Sequence, residues 1–168
     1  NIQSYAQNEK AKELYKKAGD LKYSKDYENA INYYNLALEE YHEYYYAYYN
    51  IVICKYNLGK YEEAIQDFKW FVKRDQKNVD AYNYIGISYM GLGKYEEAIP
   101  ELDKAISVNP LYYLPYYNRG ICRYNLKIYE TARKDFDKVI ELNARYYQAI
   151  LYKGLIAYIG KDYKTALS

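Results

Sequence analysis

Histidine and cysteine are nearly absent from this 168-residue chain: His42 is the only histidine, and Cys54 and Cys122 are the only cysteines. His42 stands beside Tyr41 with no Ser or Cys partner in sight, so no nucleophilic triad is predicted. Two cysteines cannot make a disulfide framework. No metal-ligand spacing and no phosphate-binding glycine loop occurs. These absences predict a protein that is not an enzyme and takes no cofactor or metal. Long apolar runs are also missing, which argues against a membrane span. Neither sign of charge dominates: 24 basic residues face 22 acidic ones, for a net charge of +2. Nothing therefore biases the chain toward nucleic acid or an anionic membrane. No secretory signal stands at Asn1 and no Asn-x-Ser/Thr sequon occurs, so a reducing, cytoplasmic setting is the expectation.

Phenylalanine and tryptophan are scarce too, at 3 and 1, yet tyrosine numbers 29. A codon bias that enriched Tyr would enrich Phe with it, so at least part of the excess points to a use for the hydroxyl.

What is abundant is repetition. Tyr27, Tyr61, Tyr95, Tyr129 and Tyr163 are spaced by 34 residues, and so are Ala30, Ala64, Ala98, Ala132 and Ala166. A small-residue column runs through Ala18, Val52, Gly86, Gly120 and Gly154. A large apolar column lies four residues before it at Leu14, Tyr48, Tyr82, Tyr116 and Ile150. Tyr34, Phe68, Leu102 and Phe136 form another. Within one period Tyr82, Ile85, Gly86 and Tyr89 fall at i, i+3, i+4 and i+7, one face of a helix. Tyr95, Ala98, Ile99, Leu102, Ala105 and Ile106 do the same for the next helix. Gly91-Leu92-Gly93-Lys94 between them reads as a turn. Each period is thus helix, turn, helix, with small residues where two axes come close. One such pair cannot bury both its faces, so neighbours must stack.

Tyr82-x-x-Ile85-Gly86-x-x-Tyr89, followed by Ala98-x-x-x-Leu102 and Pro110, resembles the tetratricopeptide-repeat signature. The resemblance implies an all-α fold, a right-handed solenoid of antiparallel helix pairs forming a single domain over 1–168. Residues 1–10 would extend the first helix, and repeats would span 11–44, 45–78, 79–112, 113–146 and, in part, 147–168. Pentatricopeptide RNA readers have a period of 35, and no basic stripe accompanies the tyrosines here, so RNA binding is not expected. The function implied is protein binding, by a scaffold or adaptor.

In this family the first helix of each repeat lines a concave groove. Carried onto this chain, the groove positions include Tyr15 in the first repeat. The second gives Tyr46, Tyr49, Asn50, Ile53, Tyr56 and Asn57. The third gives Asn83 and Ile87, and the fourth Tyr117, Asn118, Ile121, Tyr124 and Asn125. The family's carboxylate clamp needs fixed Lys and Arg side chains at set positions. The three windows place Tyr15, Gly19, Asn50, Asp80 and Tyr84, or Tyr49, Ile53, Tyr84, Leu114 and Asn118, or Asn83, Ile87, Asn118, Gln148 and Tyr152 there. None supplies the cations, so the clamp is rejected. Tyr offers large contact area at low entropy cost, and Asn can bond a peptide backbone. The groove is therefore expected to take an extended or helical peptide with apolar or aromatic anchors. The alternative is self-assembly, with a second copy entering the groove or meeting an open C-terminal end, where Ile150, Leu155, Ile156 and Ile159 would lack cover.

Further expectations concern particular residues. Ser4 and Gln7 form a capping box that would start the first helix at Ser4. The junction pairs Tyr44-Tyr45, Tyr112-Tyr113 and Tyr146-Tyr147 would fill gaps between repeats. Cys54 and Cys122, two repeats apart, would be separate buried thiols. Tyr163 would open the second helix of the fifth repeat.

Overall fold

A computed structural model describes residues 2–166 apart from residue 43, with side chains described over 9–161. Every regular element among the described residues is an α-helix. Contacts divide the chain into two compact units, Asn1–Asp67 and Phe68–Ser168. The first holds α1 (Ile2–Tyr23), α2 (Tyr27–Glu40), α3 (Tyr45–Asn57) and the start of α4 (Tyr61–Arg74). The second holds the rest of α4, then α5 (Val79–Gly91), α6 (Tyr95–Val108), α7 (Tyr113–Asn125), α8 (Tyr129–Leu142) and α9 (Tyr147–Ala166). The Ser4–Gln7 capping box lies where side chains are outside the described residues, and α1 already begins at Ile2.

The turn inside each helix pair is built the same way four times. Lys25, Gly59, Gly93 and Lys127, again 34 residues apart, all have positive φ, between 61° and 77°. The amide of the next residue donates to a carbonyl five back: Asp26 to Leu21, Lys60 to Lys55, Lys94 to Tyr89 and Ile128 to Arg123. The left-handed residue donates to the carbonyl three back, for instance Gly59 to Tyr56 at 3.0 Å. This is a Schellman motif, which satisfies the carbonyls a helix end leaves open. Glycine enters the left-handed region freely, whereas a side chain there costs about 1 kcal/mol. Lys127→Gly is therefore expected to raise unfolding free energy by about 0.5–1 kcal/mol, read as a higher urea midpoint at unchanged slope.

The turns between pairs repeat as well. Asp75, Asn109 and Asn143 accept from the amide two residues on, at 3.0, 3.1 and 3.2 Å. These local side-chain bonds end α4, α6 and α8 and aim the chain into the next helix. Asn78 then caps α5 by accepting from the Ala81 amide at 2.9 Å. The paired glutamates Glu62-Glu63 and Glu96-Glu97 occupy the first turns of α4 and α6, where they complement the helix dipole.

In the first unit α2 packs against both α1 and α3 around Ala18, Ala30, Tyr34, Leu38, Ala47, Ile51 and Cys54. In the second, α6 packs between α5 and α7, and α8 between α7 and α9. The small-residue column does here what its spacing suggests. A Cβ on Gly86 would lie 2.6 Å from Leu102, and one on Gly120 would lie 2.8 Å from the Phe136 ring. Both contacts are too close for any side chain without repacking. Gly154 differs, since nothing lies within 4 Å of its Cβ position.

The fifth repeat also departs from the expected pattern. No turn interrupts the chain near Gly160; α9 runs unbroken from Tyr147 to Ala166 and carries Tyr163 as a helical residue. Lys161 stands where Lys25, Gly59, Gly93 and Lys127 turn the chain in the earlier repeats, but here that residue stays helical. Continuing α9 keeps every backbone bond without the cost of a turn. Of the four isoleucine and leucine side chains expected to lack cover, Ile150 and Leu155 are exposed, Ile159 is partly covered, and Ile156 is buried against α8 with Phe136 and Val139.

Candidate functional site

The groove residues named from sequence lie on α1, α3, α5 and α7, and each compact unit shows its own part of the face. In the first unit Asn50 is a hub. Its Nδ2 donates to the Tyr15 hydroxyl at 2.8 Å and to the Tyr46 carbonyl at 2.9 Å. Its Oδ1 accepts from Lys22 Nζ at 2.5 Å. Tyr15 stacks on Tyr44, centroids 4.7 Å apart, and meets Tyr34 at 5.3 Å. Burial pushes the Tyr15 phenol above its ordinary value, Tyr44 adds to this, and the Asn50 bond partly offsets it. Tyr56 rests against Tyr61 at 5.5 Å and is raised by burial as well. Tyr46 and Asn57 are exposed, whereas Tyr49 and Ile53 are half-buried.

In the second unit Asn118 Nδ2 donates to Asn83 Oδ1 at 2.9 Å, and Asn83 is buried. Tyr15–Asn50 and Asn83–Asn118 are both separated by 35 residues, so they are one contact type joining the first helices of consecutive repeats. Tyr117–Tyr152, centroids 6.1 Å apart, is a third at the same separation. Asn50 and Asn118 thus commit amide donors to neighbouring repeats. Asn57 and Asn125 remain at the surface and donate to the Ile53 and Ile121 carbonyls, at 2.8 and 2.9 Å.

Tyr117, Ile121 and Tyr124 lie at i, i+4 and i+7 on α7, each half-buried. Their rings are fixed from several sides. Tyr117 meets Tyr146 at 4.8 Å, while Tyr124 meets Tyr152 at 5.2 Å and Tyr129 at 5.7 Å. Tyr152 stacks on Phe136 at 5.0 Å. Burial, with Tyr146 and Tyr152 beside it, pushes the Tyr117 phenol up to about 12. Ile87 occupies the corresponding place on α5 and is half-buried.

Two groups stand apart from these faces. Cys54 and Cys122 are fully buried, and burial raises their thiols to about 11 and about 12. Neither is a thiolate at neutral pH, so neither is a nucleophile. The other is an ion-pair cluster the sequence did not reveal. Asp135 on α8, 3% exposed, accepts from Arg119 at 2.5 to 3.2 Å and from Arg123 Nη1 at 2.7 Å. Arg119 Nη1 also reaches Asp103 on α6 at 2.5 Å. Burial acts to lower the Arg119 guanidinium, but its bonds to Asp135 and Asp103 outweigh this and raise it. The cluster ties α6, α7 and α8 together and is internally satisfied. The junction tyrosines split: Tyr44, Tyr112, Tyr113 and Tyr146 are half-buried as gap fillers, whereas Tyr45 and Tyr147 are exposed.

Among the described residues no group of three or more His, Cys, Asp or Glu side chains is placed to hold a metal, and no helix is long and apolar enough to cross a membrane. A periodic series of helix pairs with Schellman turns and fixed aromatic faces defines a helical-repeat protein. Its repeat is the tetratricopeptide repeat: that family's model matches residues 15–76, 49–106 and 85–144. The chain belongs to the tetratricopeptide-repeat family, whose repeat is a structural unit and not a catalytic one. None of the curated proteins matches it. Solved structures do. MamA from Desulfovibrio magneticus RS-1 is 22% identical with a TM-score of 0.72, over 81% of this chain and 77% of that one. A thermophilic tetratricopeptide-repeat protein of Thermus thermophilus, TTC0263, is 20% identical with a TM-score of 0.73, over 90% and 82%. The second such domain of human RPAP3, solved in complex with an HSP70 peptide, is 26% identical with a TM-score of 0.63, over 66% and 92%.

Proposed function

We propose that the chain is a protein-interaction scaffold whose α7 face binds a peptide through apolar or aromatic anchor side chains. The observation that carries this reading is the row Tyr117, Ile121 and Tyr124, part-exposed and held by neighbouring rings before any ligand arrives. Such pre-ordering removes much of the entropy that binding would otherwise cost. Tyrosine adds a hydroxyl at the rim of an apolar contact, which suits a peptide with both a greasy side chain and a polar backbone. Ile87 extends the apolar row on α5. The α3 face repeats the chemistry with Tyr49, Ile53 and Tyr56, flanked by the exposed Tyr46 and Asn57. The RPAP3 complex supports the general mode, in which a domain of this family receives a peptide. The α7 row carries no cation for a terminal carboxylate, which favours apolar or aromatic anchors over a clamp.

A displayed peptide library selected against the chain tests this reading. Peptides enriched in aromatic and aliphatic residues are the expected result. Ile121→Asp is expected to weaken an enriched peptide at least about tenfold, since it puts a charge where an apolar anchor sits. Asn125→Ala is expected to leave binding within about twofold, because that amide only closes on its own helix. Enrichment of nothing, or of peptides indifferent to Ile121→Asp, would sink the proposal.

A further inference from the structure

Charge is nearly balanced over the whole chain but not in one recess of the second unit. A cleft of 370 Å³ lies between α4 and α6, and Lys69, Val72, Lys73, Tyr82, Glu101 and Lys104 line most of it. Three ammonium groups there face one carboxylate, which leaves a surplus of two positive charges. Neighbouring side chains hold two of the lysines in place. Lys69 Nζ donates to the Tyr89 hydroxyl at 3.0 Å. Lys104 Nζ donates to Glu101 at 2.9 Å and lies 5.9 Å from the centre of the Tyr82 ring. Lys73 is exposed and has no partner among the described residues. Each ammonium carries three donors, so all three keep capacity for an incoming acceptor.

The repeat scaffold does not ask for these charges. Asn35, Asp103 and Asp137 fill the place of Lys69 in the other repeats, and Glu39, Ser107 and Glu141 fill that of Lys73. Nor does the helix dipole account for them, since Lys69 and Lys104 stand before the last turns of α4 and α6. Lys69 and Lys73, at i and i+4 on one helix, repel each other. A repulsion with no structural return points to a ligand of the opposite sign.

We infer that the cleft binds an acidic peptide segment, with Asp or Glu carboxylates between the three ammonium groups and the peptide's apolar atoms against Val72 and Tyr82. Two features select that occupant. The cations form a row and do not converge on one point: Lys69 and Lys73 are about 6 Å apart along the axis of α4. Alternate side chains of an extended peptide repeat every 7 Å or so, about the same interval. A single phosphate is best met by an arginine fork, and no arginine lines the cleft. The cleft is also recessed between two helices, so a chain lying along it meets more of its cations than a flat anionic surface does. No residue of the α7 row takes part, so this site stands or falls separately from the peptide face.

Fluorescence anisotropy with a labelled hexaglutamate peptide, at about 50 mM salt where screening is weak, is the first test. Saturable binding is expected, at least about tenfold weaker at about 300 mM salt, and a hexaglutamine peptide should not bind. Lys69→Glu and Lys73→Glu are each expected to weaken binding at least about tenfold, and Lys69→Arg to keep it within about twofold. Lys138→Glu, at the place of Lys104 in the next repeat but outside the cleft, is expected to leave it within about twofold. Ile121→Asp should do the same, which separates this site from the face of α7. Failure of hexaglutamate to bind would overturn the inference. So would equal losses from Lys138→Glu and Lys69→Glu, the mark of a general attraction between opposite charges. Binding of a phosphoserine peptide or of phosphatidylserine vesicles in place of hexaglutamate would overturn it as well.

Discussion

Replacing Asp135 by alanine is expected to lower the stability of the second unit by about 3–5 kcal/mol. The carboxylate is 3% exposed and is shared by two guanidinium groups whose side chains are only 16% and 22% exposed. Removing it leaves two part-buried cations without their main acceptor, and that penalty exceeds the worth of the lost attraction. Thermal unfolding followed by circular dichroism should show a drop on the order of 10 °C. Asp103 touches the same Arg119, but its side chain is 49% exposed. Water can replace it, so Asp103→Ala should cost under about 1 kcal/mol. Equal losses for the two variants would mean that burial does not set the strength of this cluster. The triple change Asp135→Leu, Arg119→Met and Arg123→Leu should recover most of the loss, because an apolar replacement removes the charges together with their desolvation cost.

Alkali is expected to unfold the protein between about pH 10 and 12, with tyrosine ionisation and loss of helix occurring together. An unfolded phenol titrates near 10. Burial raises Tyr34 well above that, Tyr15 and Cys54 adding to the effect. Burial likewise raises Tyr117 to about 12, and Tyr15, Tyr56, Tyr146 and Tyr152 shift in the same direction. A raised folded pKa means the fold holds protons that the unfolded chain would release. The stability from these groups is complete below about pH 10 and is lost as pH rises through the folded values. For Tyr34, 1% exposed, the loss is about 1.4 kcal/mol per pH unit above 10. Absorbance at 295 nm against ellipticity at 222 nm reads both events. Smooth titration of every tyrosine near pH 10 with the helices intact would refute the expectation.

The helices, their order and the turns between them were legible in the sequence because they repeat. A Schellman turn depends on a few consecutive residues, and its positions recur at 25, 59, 93 and 127 even where lysine replaces glycine. The close-approach column was equally plain at Gly86 and Gly120. What escaped notice was whatever does not recur. Arg119 has isoleucine at the same place in the two preceding repeats, Ile51 and Ile85, so its pairing with Asp103 and Asp135 leaves no periodic trace. The asparagines of the candidate face were recognised as polar groups on the right helices. Their partners depend on how one helix stacks on the next, and a 35-residue hydrogen bond cannot be read from a 34-residue column. The long α9 is a third case: Lys161 falls in the column of turn residues, yet α9 stays helical through it.

The contacts between consecutive first helices differ in kind even though they sit at one separation. Tyr15 meets Asn50 as hydroxyl to amide, Asn83 meets Asn118 as amide to amide, and Tyr117 meets Tyr152 as ring to ring. The first, third and fourth repeats are therefore each matched to their own successor. Were the third repeat followed directly by the fifth, Asn83 would face the ring of Tyr152 and lose the amide it bonds now. Repeats that share one backbone plan are in this way not interchangeable, and their order along the chain is written into the side chains that join them.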